Sequence, residues 1–102
     1  MKYDFYNNNE IIEMLGKRLQ EYRVSKNISQ KKLAEITGVS RARISEIENG
    51  SPTSLASLID IMRALKILDN IDHLIPLVVK SPREILKESL KQRKRASNGS
   101  KD

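Results

Sequence analysis

The chain has 102 residues, enough for one modest hydrophobic core, and its apolar fraction is mostly aliphatic with few Gly and Pro, which favours an all-α fold. Cys is absent, which excludes a disulfide framework, a thiolate metal site and a thiol nucleophile. The net charge is +6, but eight bases against three acids lie from Lys80 onward, leaving only +1 on the first 79 residues; charge alone describes a basic tail, so a case for nucleic acid must come from pattern.

The opening MKYDFYNNNE lacks the apolar stretch of a signal peptide, and residues 1–8 read as a flexible N-terminus. From Asn9, expected as an N-cap with Glu10 and Glu13 in the first turn, Ile12, Leu15, Leu19 and Tyr22 recur at helical steps to about Val24. Ser29 opens a second helix, with Ile28 before it placed to staple onto Leu33, and Gly38 closes it. The same grammar repeats at once: Val39 precedes a cap at Ser40, Ile44 and Ile47 face inward, and Asn49 with Gly50 ends the third helix.

Pro52 and Ser54 introduce a fourth helix whose stripe is Leu55, Leu58, Ile59, Met62 and Leu65, and a short fifth segment carries Ile71, Leu74 and Ile75 up to Pro76. The apolar cluster Leu74 to Val79 is too short to cross a bilayer and is broken by Pro76, so the expectation is a soluble, cytoplasmic protein with no membrane partner. Leu77 to Val79 is a candidate short strand in need of a partner. Ser81, Pro82 and Glu84 form a capping-box pattern ahead of a weak last helix with Ile85, Leu86 and Leu90, which fades into partly disordered basic sequence. The expected domains are thus 9–76, followed by an extension over 77–102.

Two short helices joined by a Gly turn, with apolar residues at fixed offsets, make a helix-turn-helix pattern. From Leu15 to about Leu68 the sequence resembles the lambda-repressor-like family, also called Cro/C1 or XRE, with SQKKLAEITGVSRARISEIENG from Ser29 to Gly50 as its densest match. The resemblance implies a compact five-helix bundle that binds double-stranded DNA as a transcription regulator, with no cofactor and no metal. By that correspondence Arg41, Ala42, Ser45 and Glu46 face the major groove, while Gln30, Lys31, Ser40, Arg43 and Asn49 meet phosphates. It also implies an internal ion pair between Arg23 and Glu48.

Domains of this type commonly read two half-sites as a symmetric homodimer, with recognition helices about 34–36 Å apart. Leu68 to Val79 are the candidate dimer surface, through cross-subunit strand pairing, or else pack on their own domain. An enzyme is disfavoured: the single histidine, His73, sits in a polar stretch, and no Gly-rich phosphate loop or convincing carboxylate metal set is present. A second reading concerns LDNIDHLIPLVVKSPREILKESLKQRKRAS, which resembles the C-terminal extension of HipB-like antitoxins. That resemblance implies a HipA-type kinase toxin as partner, with the antitoxin repressing its own operon.

Overall fold

The computed structural model describes residues 1–99, with side chains through Arg93. Helix α1 (Asn8–Ser25) starts two residues earlier than expected, because Asn7 and not Asn9 is its cap. The reason is local: the Asn7 side chain accepts from the Glu10 N–H at 2.8 Å, and the Glu10 carboxylate accepts from the Asn7 N–H at 3.1 Å. A cap at Asn9 would place Ile12 where this reciprocal box needs a carboxylate or amide. Before the helix, Arg18 donates to the Tyr3 hydroxyl at 3.3 Å, and this bond, aided by the Lys2 charge, holds the phenol below its ordinary pKa.

Helices α2 (Gln30–Thr37), α3 (Arg41–Glu48) and α4 (Leu55–Ala64) each follow a serine cap. Ser29, Ser40 and Ser54 accept from the backbone N–H three residues on at 3.0, 3.1 and 3.1 Å. At eight residues each, α2 and α3 are too short to persist alone in water. Their stability comes from the core, where Leu33, Ile44, Ile61 and Leu65 are at most 2 % exposed, each contributing roughly 1.5–3 kcal/mol. Leu19 and Ile47 complete that cluster, and Ile28, Ala34 and Val39 pack on it from the side.

Two parts of the expected core differ. In α4 the buried residues are Ile61 and Met62, with Leu65 just beyond, while Leu55 in the first turn is 73 % exposed. In α1 the buried line runs through Gly16, Leu19 and Arg23, leaving Leu15 and Tyr22 only partly covered. Gly16 explains the shift: a Cβ built there would sit 2.2 Å from the Ile47 carbonyl oxygen. A bare backbone at this point lets α1 lie directly on the end of α3.

Beyond α4, Lys66 takes a left-handed backbone (φ 60°), and a 3-10 turn, Leu68–Asn70, leads into α5 (Ile71–Leu74). Two compact units divide the chain, Met1–Ile71 and Asp72–Asp102. In the second, Leu77 to Val79 forms no strand among the described residues; no neighbouring strand offers it backbone partners. Its last helix, α6 (Pro82–Gly99), is longer than the weak helix expected, running 18 residues from a reciprocal Ser81 and Glu84 cap. The end of the expected disordered tail, residues 100–102, lies outside the described residues.

Candidate nucleic-acid interface

The turn between α2 and α3 is built by three residues. Thr37 donates its hydroxyl to the Leu33 carbonyl at 2.8 Å and accepts from the Val39 N–H at 3.1 Å. Gly38 follows with φ +77°, a left-handed conformation that a side chain would strain. Val39 then returns to the core, so the chain can cap α3 at Ser40 two residues after the glycine.

α3 is two-faced. Ile44, Ile47 and Glu48 are buried, whereas Arg41, Ala42 and Glu46 are exposed and Ser45 is half-buried beside them. Residues 41, 42, 45 and 46 share one side by helical spacing. Among the described residues no ion pair engages Arg41, so its five N–H donors face solvent at the start of the helix. Glu46 differs, because Arg43 lies against it at 2.8 Å and also donates to the Pro52 carbonyl. Arg43 therefore ties α3 to the segment before α4, a link with no signal in the sequence.

The remaining polar residues are partly engaged. The Gln30 amide donates to Glu48 at 3.2 Å, using one of its two hydrogens. Ser40 accepts from the Arg43 N–H, which leaves its own hydroxyl proton to donate. Asn49 caps α3 and turns its amide back on the Ser45 carbonyl at 2.9 Å. Lys31 is exposed.

Behind this surface, Arg23 and Glu48 form a two-armed pair, Nε to Oε2 at 2.7 Å and Nη2 to Oε1 at 3.1 Å, both residues at most 9 % exposed. The third arm of Arg23 donates to the Ile28 carbonyl at 2.8 Å. One guanidinium thus joins α1, the entry to α2 and the end of α3, and Glu48 in turn holds Gln30. Sequence reasoning missed Gly16, although a glycine at helical spacing between Ile12 and Leu19 was a visible sign of close backbone approach.

This geometry coincides with a family match, since residues 19–68 fit the helix-turn-helix family model. Residues 19–68 form a helix-turn-helix domain of the Cro/C1, or XRE, type. It is a DNA-binding type of domain, and its bundle is lambda-repressor-like and all-α, with no strand among the described residues. The match ends at Leu68, so the likeness of the extension to HipB-like antitoxins gains no support from it. No curated protein matches the chain, and no described helix is long and apolar enough to cross a membrane.

Proposed function

We propose that the helix-turn-helix domain binds double-stranded DNA sequence-specifically, laying α3 in the major groove as part of a dimeric transcriptional repressor. The observation that carries this reading is the two-faced α3, with one side locked into the core and, on the other, Arg41 and Ala42 at the helix start and Glu46 further along open to solvent. Arg41 pairs with the O6 and N7 of a guanine, Ala42 meets a thymine methyl, and Ser45 takes a neighbouring base edge. Glu46 accepts from a cytosine amine once a phosphate draws Arg43 away. Gln30, Lys31 and Ser40, beside the N-termini of α2 and α3, which favour an anion, and Asn49 at the far end of α3 complete the backbone clamp.

The test is a nuclease footprint on the DNA upstream of the protein's own gene, at near-physiological salt, with wild type and Arg41→Ala. The expected result is a protected two-fold-symmetric site that Arg41→Ala weakens or relaxes at one position by about 1–3 kcal/mol. Equal affinity of both proteins for every sequence would remove α3 as the reading element. No observation favours a toxin partner over a DNA role.

A further inference from the structure

The unit Asp72–Asp102 carries apolar surface out of proportion to what it buries. Eight apolar residues between Leu74 and Leu90 are each more than half exposed, and no residue from Asp72 to Arg93 is buried. Monomeric proteins rarely leave so concentrated an apolar patch in water. Part of it lines a groove of about 500 Å³ made by Ile75, Leu77, Val78 and Ile85 with the ion-paired Lys80 and Glu88. On α6, Ile85, Leu86, Ser89 and Leu90 share one side, continuing the patch along the helix.

We infer that this surface is where a second copy of the chain docks, α6 lying antiparallel on α6; the inference names the interface of the dimer proposed above and rests on that reading. Charge distribution selects the occupant. The first half of α6 holds all its large apolar residues and is electrically neutral, with Arg83 and Lys87 balanced by Glu84 and Glu88. From Lys91 onward come Lys91, Arg93, Lys94 and Arg95 with no acid until Asp102. A polyanion is matched by that basic half and not by the neutral apolar half, which is complementary to another neutral apolar surface such as its own copy. A parallel pair would stack four bases on four. An antiparallel pair, with Ile85 facing the Leu90 of the second copy, joins the neutral halves and carries the basic ends past one another in opposite directions. On α6 the pair covers Ile85, Leu86 and Leu90, and the exposed Leu74 to Val79 segment before the helix adds apolar surface toward the about 800 Å² per partner that stable interfaces bury.

The experiment uses the full chain and needs no DNA. Sedimentation across a concentration series is expected to show a dimer for wild type and at least about a 100-fold weaker dimer for Leu86→Glu, with helicity and melting of the helix-turn-helix domain retained. Because the chain has no Cys, Ser89→Cys is expected to give a disulfide-linked dimer under copper–phenanthroline air oxidation, and Glu84→Cys, on the opposite side of α6, is not. A monomeric wild type, a Leu86→Glu variant that stays dimeric, or equal crosslinking at both positions overturns the proposal. So does a Leu86→Glu variant whose melting falls with no change in mass, since the patch would then pack on its own chain. Loss of footprinting with the dimer intact strikes the DNA reading alone.

Discussion

Leu33 and Leu86 are both helical leucines next to lysine-bearing neighbours, yet Leu33 is 1 % exposed and Leu86 60 %. Leu33 sits in an eight-residue helix and Leu86 in one of eighteen. Helix length therefore does not decide which region is held firmly. The short helices of Met1–Ile71 share one core and one buried ion pair, while the described side chains of α6, through Arg93, have neither, so its stability depends on what covers it.

The largest break in that comparison comes from Glu48→Ala. It leaves the Arg23 guanidinium buried without its carboxylate and Gln30 without its acceptor. A loss of about 3–5 kcal/mol is expected in denaturant unfolding, and loss of fluorescence-detected DNA binding should follow the unfolding curve. A cost near zero would mean the pair is solvated in solution.

Gly16→Ala comes next. Its methyl would meet the Ile47 carbonyl, which is backbone and cannot rotate aside, so α1 must lift from α3 at a cost of about 3 kcal/mol. Thermal melting checks this, and an unchanged midpoint would contradict the close approach. Gly38→Ala meets no atom within 4 Å and differs in kind. Its expected cost, about 1 kcal/mol, is the strain of a left-handed backbone alone.

In the second region even removal of a large apolar side chain is expected to do little. Ile75→Ser, at a residue 74 % exposed, should change the unfolding free energy of the helix-turn-helix domain by less than about 0.5 kcal/mol. A larger effect, measured at a concentration where the chain is monomeric, would erase the contrast between the regions. The smallest effect concerns Glu88, whose carboxyl is held below its ordinary pKa by the Lys80 hydrogen bond and charge. A depressed folded value means the pair contributes above the ordinary carboxylate range and is lost as pH falls through the lowered value. Lys80→Ala should therefore raise the Glu88 titration midpoint, read by NMR.

The helix-turn-helix was legible because its determinants are local. Ser29, Ser40 and Ser54 cap the helices that follow them, Gly38 makes the turn, and Leu33, Ile44 and Ile47 recur at helical spacing. The start of α1 was misplaced because three consecutive asparagines, Asn7 to Asn9, compete for the cap and only Asn7 has Glu10 at the right distance. Leu77 to Val79 suggested a strand from side-chain type alone, but a strand exists only with a neighbour to bond, and none of the described residues supplies one.

What the sequence determined by itself was the order of the helices, their serine caps and the glycine turn, since each depends on residues within four positions of one another. Tertiary structure alone decided that the Gly16 backbone lies directly against the end of α3, that Ile61 and not Leu55 anchors α4, and that Arg43 reaches Glu46 and Pro52 together. Several residues on each helix satisfy the same periodicity. Only the approach of another helix selects which of them leaves water.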